Sequence, residues 1–200
     1  QKGETTIETL IQQGEYAQAA IEAERMIAIN PRDGVLHLQH ADALHLMGRF
    51  TESENSYRRA MEINSRDAAA REGLALSMAH QKVQLDKARS IMEETIATLP
   101  EIQEFQALSL AFILLESGNR DEALRVFSDN LELLQTRFEM DYTDPDDLLA
   151  ETVYLYGVLS REVGESAEVE ALMQKVVDWA PGSVFAEWAA VSPTSDPRRR

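Results

Sequence analysis

Residues 13–31, QGEYAQAAIEAERMIAINP, decide the fold of this chain. The pair Gly14 and Tyr16 returns as Gly48 and Phe50, 34 residues later. The closing Ile29-Asn30 returns at the same distance, at residues 63–64. A period of this length is typical of helical hairpins stacked side by side. Glycine tolerates the left-handed backbone that ends a helix, so each repeat is predicted to contain two helices joined at the glycine.

The same frame continues to the end of the chain. It returns at Gly118 and Gly164, and a weaker copy between the second and fourth frames has Lys82 in place of the turn glycine. We predict five helix pairs, at roughly residues 4–29, 34–63, 67–98, 102–137 and 145–179. The fourth and fifth frames are 46 residues apart. This spacing predicts a lengthened second helix, then a loop at 141–144 in which Asp144 caps a helix beginning at Pro145.

The pairs are expected to form one domain over residues 1–191. A short amphipathic helix at 184–191, with Phe185 and Trp188 facing inward, is expected to cap the last pair, because a terminal repeat otherwise exposes its apolar face. Residues 192–200 are predicted to be a disordered tail. Small residues fall where helices should cross: Ala19, Ala23, Ala41, Ala60, Ala75, Ala111 and Ala123.

These residues resemble the tetratricopeptide repeat (TPR) family, whose pattern has a turn glycine, an aromatic residue two positions later, alanines in the second helix and a closing proline. Tyr156-Gly157 is similar to the Leu-Gly pair of its first helix. The chain departs from the pattern where the large first-helix aromatic is replaced by His37, Arg71, Ala107 and Val153. The resemblance implies an all-α fold, a right-handed superhelical stack of antiparallel helix pairs.

The resemblance also implies that the first helices line a concave groove. The side chains it assigns there are Leu38, Asp42, His45, Glu72, Leu76, His80, Phe105, Leu108, Phe112, Tyr154, Val158 and Arg161, with Thr9, Gln12, Leu115 and Glu151 at related positions. Family members that bind acidic chaperone termini present Lys and Asn at such positions, and this chain does not. An apolar segment with basic flanks is therefore the expected ligand, unless the apolar residues pack against neighbouring helices instead.

Composition narrows the choice of partners. With 35 acidic and 19 basic residues the formal net charge is −16, which disfavours nucleic acid and anionic membrane surfaces. No apolar run approaches the roughly 18 residues of a membrane-spanning helix, so no membrane insertion is expected. The absence of cysteine excludes thiolate chemistry and leaves the compartment open, with the cytoplasm favoured and the periplasm possible. The missing initial Met suggests a processed or excised chain.

Catalytic motifs are absent from the sequence: it has no phosphate-binding glycine loop, nucleophile elbow or His-Glu-x-x-His. His37 and His40 lie one helical turn apart and could share a metal ion, but a structural role for both is favoured. His45 lies off their shared face. We therefore expect neither an enzyme nor a cofactor nor a metal site.

The expected function is that of a protein–protein interaction scaffold that binds a segment of a partner protein in its groove. Two alternatives stay open. One is a chaperone-like holder of secreted or membrane-destined apolar segments. The other is a self-assembly module forming a homo-oligomer through Phe185 and Trp188, or through the insert near Tyr142.

Overall fold

The computed structural model describes residues 6–98, 103–139, 147–164 and 166–191, with side chains described for 6–98, 106–132, 150–164 and 169–191. Eleven helices, α1 to α11 in chain order, lie in these ranges, and no strand does. They are Ile7–Gln12, Tyr16–Ile29, Gly34–Leu46, Phe50–Ile63, Ala68–Gln81, Leu85–Thr98, Gln103–Glu116, Arg120–Glu139, Asp147–Glu162, Ser166–Trp179 and Val184–Ala190. The first ten form five antiparallel pairs.

The turn inside each pair depends on backbone of positive φ. Gly14 and Gly48 both have φ of +72°, which costs glycine little. In the third pair Lys82 occupies the left-handed region at φ +56°, where a side chain normally costs about 1 kcal/mol or more. Its ammonium group lies 2.9 Å from a carboxylate oxygen of Glu116 on α7. The irregular third turn is therefore a strained copy of the glycine turn.

Acidic residues between the pairs start the next helix. Asp33 accepts hydrogen bonds from the backbone N–H groups of Val35 and Leu36, and Asp67 accepts one from that of Ala70. Such caps satisfy N–H groups that have no partner within the helix. Asp67 thus caps the start of α5, four residues after α4 has ended at Ile63.

The helices form two layers. The first helices of the pairs, α1, α3, α5, α7 and α9, each contact the next one in the series and make an inner layer, and the second helices lie outside. The face of this inner layer that points away from the second helices is called the inner surface. α9 also contacts α3. The inner layer therefore curves until the fifth pair meets the second.

Small side chains let the layers approach closely. All seven alanines expected at helix crossings are at most 1% exposed. Tyr57 of α4 packs its ring against the backbone of Gly73 in α5, where a Cβ atom would lie 2.3 Å from the ring. The core is thus continuous along the stack.

The fourth pair has the lengthened second helix expected from the sequence. α8 spans 20 residues, whereas α2, α4, α6 and α10 span 14 each. The predicted loop at 141–144, the start at Pro145, Tyr142 and the tail at 192–200 lie outside the described residues. Within the described parts, no helix combines the length and apolar character needed to cross a membrane.

Candidate functional site

The inner surface is largely covered by the chain itself. Of the side chains assigned to a groove from the sequence, His45, Leu76, His80, Leu108, Phe112 and Tyr154 are buried, and Leu38, Asp42, Glu72, Val158 and Arg161 are half-buried. The side chain of Phe105 lies outside the described residues. α11 covers the centre of this surface, where α9 meets α3.

A polar triad lies at this centre. Nε2 of His45 on α3 lies 3.1 Å from both carboxylate oxygens of Glu151 on α9. Nε2 of His80 on α5 lies 2.7 Å from Oε1 of the same carboxylate. All three residues are buried: His45 is 0% exposed, His80 is 7% exposed and Glu151 is 5% exposed. First helices of the second, third and fifth pairs are therefore joined by one carboxylate.

A chain of hydroxyl groups leads from α4 to the ring of His45. The Ser53 hydroxyl donates its proton to the carbonyl oxygen of Phe50, at 2.9 Å. The Ser77 hydroxyl lies 2.9 Å from Ser53 Oγ, and by donating to Ser53 it leaves both contacts of Ser53 satisfied. Nδ1 of His45 lies 2.8 Å from Ser77 Oγ and in this arrangement donates to Ser77. The arrangement that satisfies all of these contacts places the ring proton of His45 on Nδ1, and Nε2 faces Glu151.

Opposing effects act on the Glu151 carboxyl. Burial works to raise its pKa, because the charged form loses hydration. The attraction and hydrogen bonds of His45 and His80 outweigh burial and lower the pKa of Glu151 to about 2. Glu151 is thus a carboxylate held in the interior by its two histidine partners.

Aromatic rings enclose the triad. The ring cluster consists of Phe50, Phe112, Tyr154, Phe185 and Trp188. The His80 ring has its centroid 5.0 Å from Phe50, 5.1 Å from Phe112, 5.4 Å from Phe185 and 5.3 Å from Trp188. Tyr154 lies 6.0 Å from Phe185 and 5.8 Å from Trp188. The triad therefore has apolar surroundings in which charge interactions are strong.

The C-terminal helix supplies part of this enclosure. Ser183 caps α11, and Phe185 is fully buried against His45, His80 and Tyr154. Val184 reaches the turn of the second pair, where a Cβ on Gly48 would lie 3.0 Å from its Cγ2 atom. α11 packs on α10 and α9. It also lies across the inner surface, which the sequence analysis did not foresee.

Two more acidic groups face this interior. Asp42 accepts a hydrogen bond from the Tyr57 hydroxyl at 2.8 Å, and burial, followed by the charge of Asp42, raises the pKa of Tyr57 well above its usual value. Glu72 accepts one from the Ser109 hydroxyl at 2.5 Å. Burial raises the pKa of Glu72 to about 7, and the negative charge of Glu151 adds to the rise.

The other histidines have separate partners. Nε2 of His37 lies 3.1 Å from the carbonyl oxygen of Pro31, and Nδ1 of His40 lies 2.9 Å from the Ser56 hydroxyl. Where the chain is described, the metal-ligating groups that converge are those of the triad. The spacing of the histidines along α3 does not reveal the triad, because the supporting serines lie on α4 and α5. A small polar residue at the repeat's alanine position, as at Ser53, was the available signal.

Comparisons with known proteins agree with this architecture. A family model described as bacterial transcriptional activator domain matches residues 3–84. The solved MamA protein is 20% identical over 68% of this chain and 78% of its own, with a TM-score of 0.53. TPR-like repeats of a Podosopora anserina protein described as a kinesin light chain are 13% identical over 93% and 94%, with a TM-score of 0.57. No match is found among curated protein sequences.

The chain therefore has the fold of the tetratricopeptide-like repeat proteins, an all-α stack of helix pairs. This confirms the resemblance seen in the sequence at the level of fold. At identities this low, the likeness defines the architecture and leaves the task to be argued from the site.

Proposed function

We propose that the protein is an interaction scaffold whose inner surface binds a helical segment of a partner protein. The observation that carries the proposal is the seating of α11, which packs Phe185 and Trp188 among the rings of the inner surface. A surface that accepts one short helix by two aromatic side chains has the chemistry needed to accept another.

The two anchors define the ligand. Phe185 and Trp188 are three residues apart, so they project from one face of a helix. Large aromatic side chains in buried pockets contribute most of the binding energy at many protein interfaces. The partner segment we propose is a helix with two aromatic anchors at this spacing.

Charge adds a preference. Asp42 and Glu72 face the interior from α3 and α5, and the whole chain carries a formal charge of −16. Basic residues flanking the partner's anchors would be steered towards this surface and speed association.

The partner helix would take the place of α11 in this proposal. α11 has seven residues. Because a helix this short is not stable by itself in water, the position of α11 depends on the contacts of its two aromatic anchors. Trp188 is the half-buried anchor, and its loss should weaken the seating of α11 without opening the core at Phe185.

A labelled peptide of residues 181–191, PGSVFAEWAAV, tests this with the full chain. Fluorescence anisotropy should show at least about tenfold tighter binding to the Trp188→Ala chain than to wild type, because removal of an aromatic anchor costs more than about 1.4 kcal/mol. Glu187→Ala, an exposed position on the same helix, is the matched control and should behave like wild type.

A second peptide, with both anchors replaced by alanine, should bind neither chain. If the Trp188→Ala chain remains folded by circular dichroism and binds the anchored and anchorless peptides alike, the inner surface does not recognise aromatic helices. A basic helix with the same anchor spacing then tests whether foreign segments compete.

A further inference from the structure

We propose that the polar triad, His45, His80 and Glu151, is a binding site for one divalent transition-metal ion of the Zn²⁺ type. The site does not depend on the proposed partner binding. Its ligand atoms lie within 4.8 Å of one another. Two imidazole nitrogens and a carboxylate are a donor set suited to zinc and its neighbours, and less so to Mg²⁺ or Ca²⁺.

The tautomer of His45 favours a cation beside Nε2. In the arrangement that satisfies all contacts from Ser53 through Ser77, Nδ1 carries the ring proton, and neutral His45 presents the lone pair of Nε2 to Glu151. A lone pair and a carboxylate repel each other at 3.1 Å unless a positive charge lies between them. A metal ion bound between the two groups would supply that charge.

The surroundings of His45 match those of metal-binding histidines. Such a histidine donates its other ring N–H to a fixed acceptor, which orients the ring and sets the tautomer. Ser77 Oγ provides this acceptor, and it is itself held by Ser53. The Ser–Ser chain ends at the carbonyl oxygen of Phe50, the first residue of α4, so the acceptor for the His45 ring is held in place by backbone.

The spacing of the donor atoms is close to that of zinc ligands. Zinc at about 2.0 to 2.2 Å from its ligands places neighbouring ligand atoms about 3.3 to 3.6 Å apart. The nitrogen–oxygen separations are 3.1 Å for His45 and 2.7 Å for His80. Displacements below an ångström would open a place for an ion. Both oxygens of Glu151 face His45, so they could complete four donors together.

The carboxylates near the triad favour a bound cation at its centre. Glu151 and Glu72 lie close enough for their negative charges to repel each other. Glu72 and Asp42 have neutral hydroxyl donors, those of Ser109 and Tyr57, among their hydrogen-bond partners. A divalent ion at the triad would therefore lower the cost of holding Glu151 and Glu72 close together.

The test uses the full chain with Zn²⁺ and Co²⁺ as probes. The ligands are 35 and 71 residues apart along the chain, so the site exists only after folding. A hundredfold excess of free ion over the dissociation constant should raise the thermal midpoint by about 5 to 10 °C, and EDTA should reverse this. Ions are added before refolding as well as after, because the site is buried.

Two tryptophans allow a local reading. The Trp179→Phe chain keeps Trp188 alone, whose ring is 5.3 Å from that of His80. Co²⁺ should quench its fluorescence with one equivalent at the end point. Binding should also release protons, since a metal replaces any proton on the ligand nitrogens, and calorimetry in buffers of different ionisation enthalpy measures them.

Ligand and control variants locate the ion. His80→Gln and Glu151→Gln should each weaken Zn²⁺ at least about a hundredfold, whereas His37→Gln and His40→Gln should bind as wild type. If the ligand variants do not fold, stoichiometry and Trp188 quenching in the chain that retains all three ligands decide. No bound ion after refolding, binding that survives His80→Gln, or binding without Trp188 quenching overturns the proposal, and the triad is then a protonated ion pair.

Discussion

Nε2 of His45 lies 3.1 Å from both carboxylate oxygens of Glu151, although 106 residues separate them in the chain. This contact joins the second helix pair to the fifth across the inner surface. The inner surface is therefore closed at its centre, where the ring cluster surrounds the polar triad.

Glu151→Gln should destabilise the fold by about 3 to 5 kcal/mol in EDTA, because it leaves buried histidines without their charge partner. Urea denaturation at pH 7 measures the change. Glu24→Gln removes a 67% exposed carboxylate 3.4 Å from His40 and should cost less than about 0.5 kcal/mol. Equal midpoints for the two variants would show that the triad contributes nothing to closure.

Gly48→Ala should cost more than Gly118→Ala. Both glycines have positive φ, +72° and +80°. Each substitution should therefore lower the free energy of unfolding by about 1 kcal/mol through backbone strain. A Cβ on Gly48 also meets Val184 at 3.0 Å, whereas one on Gly118 meets nothing within 4 Å. Thermal melts should show an extra loss of about 1 kcal/mol or more for Gly48→Ala. If the losses match, α11 does not rest on the second turn.

Glu72→Gln should flatten the dependence of stability on pH. Burial raises the pKa of Glu72 from 4.5 to about 7, so the protonated carboxyl favours the folded state. Its stabilisation is complete below about pH 4.5 and is lost as the pH rises through 7. Since Glu72 is half-buried, glutamine should gain about 1 to 2 kcal/mol over wild type between pH 5 and 8.

Urea unfolding at pH 5, 6.5 and 8 in EDTA measures this gain. Glu62→Gln, at an exposed position on α4, serves as the control and should leave the pH profile unchanged. A Glu72→Gln profile parallel to that of wild type would mean that Glu72 is ionised throughout this range.

Ala41→Trp should destabilise the stack by several kcal/mol, because Ala41 is 0% exposed where α3 meets its neighbours. Ala17→Trp, on the exposed face of α2, is the matched control and should lie within about 0.5 kcal/mol of wild type. Chemical denaturation of both variants measures the difference. Similar midpoints would place Ala41 outside any tight helix crossing.

The repeat pattern predicted the helices and their pairing because each pair depends on local rules. Glycines at positive φ end the first helices, aspartates such as Asp33 begin the next ones, and alanines mark the crossings. The spacing of these residues is written in the sequence, so five pairs and a terminal helix could be predicted from it. The lengthened α8 followed from the 46-residue spacing in the same way.

The closure of the stack depended on tertiary structure alone. Curvature accumulates from small rotations between neighbouring pairs, and no local residue pattern states their sum. For that reason the sequence assigned His45, His80 and Glu151 to one surface without bringing them together, and sought a metal ion along α3, where His37 and His40 have other partners. Only the folded chain places α9 against α3 and α11 over both, and so decides which of these side chains meet.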